Sequence, residues 1–175
     1  MAESPFPDPA CFNAGTKILT LNSKFEDVYI SINNLRPGDI VKTYMTGYRK
    51  ILHIGWGTFT NTPTRFQSCM YVLPKQGDMI DDLTVTGCHC VLMDKDAAEA
   101  ARENHLAVYD KALVAACESK KFTKIMTTAT YTFYHFCVEN DGDKARSYIV
   151  WANGQLAETT HEQQFDDKTK FEAIL

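Results

Sequence analysis

Short β-favouring segments, separated by turn residues, recur along almost the whole chain. Pro37-Gly38 marks one turn, because proline presets φ and glycine permits a positive φ. Asn153-Gly154 is a strong hairpin signal. The predicted strands cover residues 16–21, 25–32, 40–44, 49–54, 68–74, 83–86, 107–114, 122–126, 127–138, 147–152 and 155–160. Segments this short, with turns about every 8 to 12 residues, predict an all-β fold.

One segment departs from this pattern. Residues 94–105 are rich in alanine and other helix formers, and Asp94 or Asp96 can cap the first turn of a helix. We therefore predict a short helix here, inserted between two strands on the surface of the domain.

Length and charge limit the classes of partner. The chain has 175 residues, enough for one domain with a sizeable core. It carries 18 basic and 22 acidic residues without a basic cluster, which argues against nucleic acid or an anionic membrane as a partner. No apolar run reaches the roughly 18 residues of a membrane-spanning helix, and the N-terminus lacks the basic and apolar parts of a signal peptide.

The six cysteines allow two readings besides catalysis. An even number is compatible with disulfides, but a chain of this length and apolar content does not depend on them, so we expect most to be reduced and buried. Cys88, His89 and Cys90 could instead bind a metal. Alternating side chains of a strand diverge, which gives poor geometry for one tetrahedral centre, so we expect no metal site.

The start of the β-patterned sequence is abrupt and falls at Cys11. The residues before it include Pro5, Pro7 and Pro9, which disfavour helix, and the first β-favouring segment follows without a linker. We divide the chain into an upstream flanking segment (1–10), a domain (11–160) and a C-terminal tail or short helix (161–175). A cysteine at such a boundary can attack the preceding carbonyl and convert the Ala10-Cys11 amide into a thioester.

That reaction needs help, because an amide does not rearrange unaided. The departing nitrogen requires an acid, and the bond must be oriented or polarised. Thr86 and His89 lie on either side of Gly87 and Cys88, at the end of a predicted strand. A turn there can aim a hydroxyl and an imidazole at one point, and an imidazole titrates near neutrality.

Five blocks of the sequence together resemble a known superfamily. They are residues 11–18 (CFNAGTKI), 35–41 (LRPGDIV), 83–89 (LTVTGCH), 133–139 (FYHFCVE) and 149–157 (IVWANGQLA). In this order they are similar to the successive motifs of the Hint superfamily, which includes inteins and Hedgehog autoprocessing domains. The resemblance implies an all-β horseshoe fold of two pseudo-symmetric halves, and self-cleavage at the amide before the first cysteine.

The resemblance also assigns roles to individual residues. It implies that Cys11 is the nucleophile of an N-to-S acyl shift, and that Thr86 and His89 form the Thr-x-x-His pair that polarises the scissile amide and protonates its nitrogen. His135 stands where inteins usually carry an aspartate, so it either assists Cys11 or a later step, or packs as a structural histidine between Tyr134 and Phe136.

Two departures from the family patterns restrict the expected reaction. Inteins end in His-Asn, whose amide cyclises, but residues 157–160 read AETT, so we expect no full splicing. Hedgehog-type domains use an aspartate to activate a sterol hydroxyl, but residues 51–57 contain no carboxylate, so we expect no sterol transfer. His53 in that segment could act as another base or pack structurally.

The expected function is therefore cleavage without ligation. The covalently attached upstream polypeptide is the substrate, and water, a small thiol or an amine is the acceptor. We expect the domain to act without a cofactor, as a monomer. The alternative is a Hint-like fold that has lost autoprocessing and serves as a binding or spacer module.

Overall fold

The computed structural model describes residues 10–94, 107–108, 111–166 and 172–175. Over these ranges the chain is built from β-strands and three short 3-10 helices, Ile32–Asn34, Ala116–Glu118 and Glu162–Phe165. The strands are β1 (Phe12–Asn13), β2 (Lys17–Leu21), β3 (Asp27–Ser31), β4 (Ile40–Thr43), β5 (Gly47–Thr60), β6 (Met70–Leu73), β7 (Leu83–Thr86), β8 (Cys90–Asp94), β9 (Ala107–Val108), β10 (Lys111–Ala115), β11 (Thr123–Lys124), β12 (Thr130–Val138), β13 (Ile149–Ala152), β14 (Gln155–Glu158) and β15 (Glu172–Ile174).

All of these strands belong to one hydrogen-bonded sheet. Its order is β11-β6-β7-β1-β12-β5-β4-β2-β13-β14-β8-β10-β9, with β3 added on β2 and β15 on β5. The 14-residue strand β5 links the two parts of this sheet, because its first residues pair with β4 and the remainder pairs with β12. The sheet therefore curls around a core instead of remaining flat.

The core follows from alternating side chains on the strands. In β2, Ile18 and Thr20 point inward and are buried, while Lys17 and Leu19 are more exposed. The inner faces of the other strands contribute fully buried side chains such as Val41, Leu83 and Phe136. Because apolar burial is the dominant favourable contribution to folding, this inner face holds the curled sheet together.

The short strand β1 positions the start of the domain. Phe12 pairs with Val85 of β7 on one side and with Tyr134 of β12 on the other. This double pairing leaves Cys11, the residue before β1, beside the end of β7 and close to the middle of β12.

The all-β prediction is confirmed, with some differences in the extents of strands. Strand β8 was not predicted, and β5 continues beyond Gly55, where we expected it to end. Gly57 shows why: the ring of Phe133, its partner on β12, occupies the space that a Cβ atom would need. Gly57 thus accommodates a neighbouring aromatic ring and does not end the strand.

Two sequence predictions concern other parts of the chain. Most of the predicted surface helix near residues 94–105 lies outside the described residues, and so do residues 1–9. The segment set apart as a C-terminal tail contains the 3-10 helix Glu162–Phe165 and strand β15, which pairs with β5. Among the described residues, no helix has the length and apolar character needed to cross a membrane.

Candidate active site

The peptide nitrogen of Cys11 is held directly by Thr86. Cys11 is buried, at 1% exposure, and its backbone N–H donates to Oγ1 of Thr86 over 2.9 Å. The backbone N–H of Thr86 returns a hydrogen bond to the Cys11 carbonyl over 3.1 Å. The nitrogen bound in this way belongs to the Ala10-Cys11 peptide bond, so the predicted scissile bond and the predicted Thr86 are in contact.

A tight turn after β7 brings His89 to the same place. The His89 backbone N–H donates to the Thr86 carbonyl over 3.0 Å, which closes the turn through Gly87 and Cys88. Gly87 is confined, because a Cβ atom there would lie 2.7 Å from the Phe66 carbonyl oxygen and 2.7 Å from the Tyr71 ring. Only glycine fits this position without displacement of the backbone.

The surrounding backbone fixes this turn on both sides. The N–H of Gly87 donates to the Cys69 carbonyl over 2.9 Å, and its carbonyl accepts from Cys117 over 2.9 Å. Cys88 donates to the Gln67 carbonyl over 3.1 Å. A turn held by this many backbone bonds keeps the Thr86 hydroxyl and the His89 ring in a defined geometry.

His89 is fully buried and has two different ring nitrogens. Its Nε2 lies 3.1 Å from the backbone carbonyl oxygen of Glu158, whereas its Nδ1 has no hydrogen-bond partner in the structure. A carbonyl oxygen only accepts, so Nε2 carries the proton and Nδ1 has the lone pair. Burial lowers the pKa of His89 to about 4, and the backbones of Cys11 and Glu158 partly oppose this shift. His89 is therefore neutral at pH 7.

His135 of β12 packs against His89. The two imidazole rings are stacked, with centroids 5.1 Å apart and an interplanar angle of 16°. The Phe12 ring contacts both of them, at centroid distances of 4.3 Å from His89 and 5.2 Å from His135. This arrangement places His135 beside His89, with both rings against Phe12 of β1.

The hydrogen bonds of His135 define its neutral form. The backbone N–H of Phe136 donates to Nδ1 of His135 over 3.1 Å, so the ring proton lies on Nε2, which has no partner in the structure. Burial lowers the pKa of His135 well below its ordinary value, and the nearby His89 and His161 lower it further. The site therefore contains a second neutral imidazole with a buried N–H donor.

Two further residues at this site were not predicted. Sγ of Cys88 lies 3.7 Å from Oγ1 of Thr86, the same oxygen that binds the Cys11 nitrogen. Glu158, the last residue of β14, accepts from His89 through its carbonyl and from the Cys90 N–H through Oε1 over 3.1 Å. The five-block pattern gave no signal for Glu158, because its position depends on how β14 pairs with β8.

His53 has a different environment from the other two histidines. It is exposed on β5, where its ring lies 5.5 Å from that of Phe165, and no ring contact joins it to His89 or His135 among the described residues. His53 is therefore not a buried residue, and its packing consists of the contact with Phe165 at the surface.

All six cysteines lie in the part of the chain that the structure describes. None of the six forms a disulfide; Cys11, Cys69 and Cys137 are buried, and Cys88, Cys90 and Cys117 are half-buried. No group of three or more His, Cys, Asp or Glu residues with metal-binding geometry occurs in the described part of the chain. Cys88 and His89 lie in the turn before β8 and not on a strand, so the three residues do not share the regular alternation assumed from the sequence.

Acid should destabilise the fold through the two buried histidines. The folded pKa of both lies below the ordinary value of about 6.5, so the unfolded chain binds more protons below that pH. The free energy of unfolding should therefore fall as the pH drops from about 6.5 toward 4, by up to about 1.4 kcal/mol per pH unit for each histidine. Glu158 has the opposite effect on the free energy of unfolding, because burial raises the pKa of its carboxyl and the folded chain binds this proton more readily.

Urea unfolding at pH 7 and pH 5 measures this effect. The His89→Gln variant cannot bind the proton, so its free energy of unfolding should decrease less between the two pH values than that of the wild type. An equal decrease in both proteins would show that His89 is not held neutral by the fold.

Comparisons with known proteins place this arrangement in a family. The model of the Hint domain family matches residues 10–164. The solved MchDnaB-1 intein shares 11% identity and a TM-score of 0.50, over 86% of this chain and 98% of that one. A DnaB intein from Synechocystis sp. PCC 6803 shares 14% identity and a TM-score of 0.50, over 87% and 99%. A bacterial intein-like domain from Clostridium thermocellum shares 19% identity with a TM-score of 0.45, over 86% and 97%.

No curated protein matches the chain. The two inteins with a TM-score of 0.50 share its fold, which confirms the horseshoe predicted from the sequence. The family model spans the candidate site from Ala10 through Glu158. The chain belongs to the Hint domain family, a family of autoprocessing domains.

Proposed function

We propose that this Hint domain cleaves its own chain between Ala10 and Cys11 by an N-to-S acyl shift, and releases the upstream polypeptide without full splicing. One observation carries the proposal: the nitrogen of this peptide bond donates to Oγ1 of Thr86 over 2.9 Å, from a residue 75 positions away in sequence. Hydrogen bonding of a buried amide to the predicted catalytic hydroxyl orients the bond that has to break.

In the first step, the neutral His89 accepts the Cys11 thiol proton on Nδ1. The sulfur attacks the Ala10 carbonyl carbon, and a C–S bond forms to give a tetrahedral intermediate. The C–N bond then breaks, and the imidazolium returns the proton to the departing Cys11 nitrogen. The imidazolium thereby supplies the acid that the departing nitrogen requires.

Thr86 and His135 support this step in different ways. The Thr86 hydroxyl keeps the scissile nitrogen in place while its bonding changes. His135 stacks on the His89 ring and limits its rotation, and its buried Nε2–H is a donor available to negative charge that develops at the site. The role of His135 uses the neutral imidazole that burial favours.

In the second step, water, a small thiol or an amine attacks the thioester carbon. The C–S bond to Cys11 breaks, the Cys11 thiolate leaves, and the upstream polypeptide ends in an acid, a new thioester or an amide. No asparagine is available for cyclisation at residues 157–160, where Glu158 is instead bonded to His89 and Cys90. Cleavage therefore ends at the N-terminal junction, and the scheme uses no cofactor.

A reporter fused upstream of Met1 in the full chain tests the proposal. We expect release of the reporter in dithiothreitol or hydroxylamine, and none from the Cys11→Ala variant. A fusion that remains intact under every condition would favour the alternative, a Hint fold that serves as a binding or spacer module. Equal cleavage of the wild type and Cys11→Ala would refute the chemistry.

A further inference from the structure

Glu158 contacts the His89 turn through two separate groups. Its backbone carbonyl lies 3.1 Å from Nε2 of His89, and its side-chain Oε1 accepts from the backbone N–H of Cys90 over 3.1 Å. Strand pairing supports this contact, because Ala157 pairs with Val91 where β14 meets β8. Glu158 thus contacts both His89 and the residue that follows it.

The carboxyl of Glu158 lies in an unfavourable environment. It follows the buried Leu156 and Ala157, and burial raises its pKa, an effect that hydrogen bonds from the Cys90 N–H and thiol partly offset. A carboxyl group is costly to bury unless it makes specific hydrogen bonds. The bond to Cys90 gives this position a structural use that an apolar strand residue would not provide.

The carbonyl of Glu158 also determines which nitrogen of His89 can react. By accepting from Nε2, it holds the ring proton there and leaves the lone pair on Nδ1. The carboxyl fixes the distance between β14 and the turn, since it anchors the Cys90 N–H that follows His89. If this anchor is lost, the Glu158 carbonyl can move away from Nε2, and the Nδ1–H form becomes accessible.

We infer that Glu158 is a positioning residue, which holds His89 in the Nε2–H form so that Nδ1 serves Cys11. This inference rests on the proposed self-cleavage, but it makes a separate statement about the His89 ring. Its two parts, the tautomer and the anchoring carboxyl, can be measured independently of any cleavage.

Two substitutions distinguish the effect of the Glu158 hydrogen bond to Cys90 from the effect of side-chain volume. Glu158→Gln retains an acceptor oxygen for the Cys90 N–H, so thioester formation should stay within about threefold of wild type. Glu158→Met fills a similar volume without an acceptor and should slow thioester formation about ten- to a hundredfold, because small misplacements of catalytic groups have effects of this size. Glu139→Met is the matched control, since Glu139 accepts from the Lys50 N–H over 3.3 Å on an exposed part of the chain.

Nitrogen-15 spectra of the histidine side chains test the tautomer directly. In the wild type we expect His89 in the Nε2–H form at pH 7, retained in Glu158→Gln and mixed with the Nδ1–H form in Glu158→Met. A wild-type Nδ1–H form would overturn the inference without any variant, even if Glu158→Met does not fold. A folded Glu158→Met variant that cleaves at the wild-type rate and has an unchanged His89 signal would also overturn it. If the wild type does not cleave at all, the proposed function fails, while the tautomer pattern still decides the role of Glu158.

Discussion

Thr86→Val should slow formation of the thioester at Cys11 about ten- to a hundredfold. Valine has nearly the shape of threonine but no oxygen, so the buried N–H of Cys11 loses the acceptor that now lies at 2.9 Å. The scissile amide then samples unproductive orientations, and misplacement of this kind commonly reduces rates by about two orders of magnitude. The rate of reporter release at a saturating concentration of hydroxylamine measures the effect.

Thr86→Ser and Thr84→Val provide the controls for this prediction. Serine retains the hydroxyl oxygen and should keep most of the wild-type rate. Thr84 lies two residues earlier on β7, so the same change there tests for a general effect of valine on the strand. If folded Thr86→Val releases the reporter at the wild-type rate, the hydrogen bond between Cys11 and Thr86 has no part in cleavage.

His89→Gln should have a larger effect, a loss of about a hundredfold to ten-thousandfold, the usual range for removal of a general acid-base. Glutamine occupies a similar space and can still donate to the Glu158 carbonyl, but it cannot accept a proton from the thiol and pass it to the departing nitrogen. Hydroxylamine in excess captures the thioester as it forms, so intact mass over time under this condition separates the first step from later hydrolysis.

His53→Gln is the matched control for His89→Gln. His53 is exposed on β5 and contacts Phe165, so its replacement should leave the rate of thioester formation unchanged. If His53→Gln slows the reaction and His89→Gln does not, the base has been assigned to the wrong histidine. The pair therefore also decides between the two bases that the sequence allowed.

Much of the fold was predictable because its signals are local. Turn residues such as Pro37-Gly38 and Asn153-Gly154 separate the strands, and the Asn153-Gly154 hairpin joins β13 and β14 as expected. The turn from Thr86 to His89 was also predictable, because a glycine follows the end of the predicted strand. Cys11, Thr86 and His89 could thus be proposed together before their contacts were known.

The rest of the site depends on pairing between strands distant in sequence. The stacking of His135 on His89 follows from the position of β1 between β7 and β12, which no local pattern specifies. The contacts of Glu158 follow from the register of β14 against β8, a strand that no sequence pattern predicted. Sequence spacing identifies candidate groups, but it does not give the tautomers and low pKa values that burial produces.

The chemical form of the released upstream polypeptide tests the central claim most directly. After incubation of the full-length fusion with hydroxylamine, mass spectrometry should find the upstream fragment ending at Ala10 as a hydroxamate, because hydroxylamine captures the acyl group of the thioester. Cys11→Ala should yield no such product. A fragment that ends at another residue, or the same product from Cys11→Ala, would contradict a thioester at Cys11.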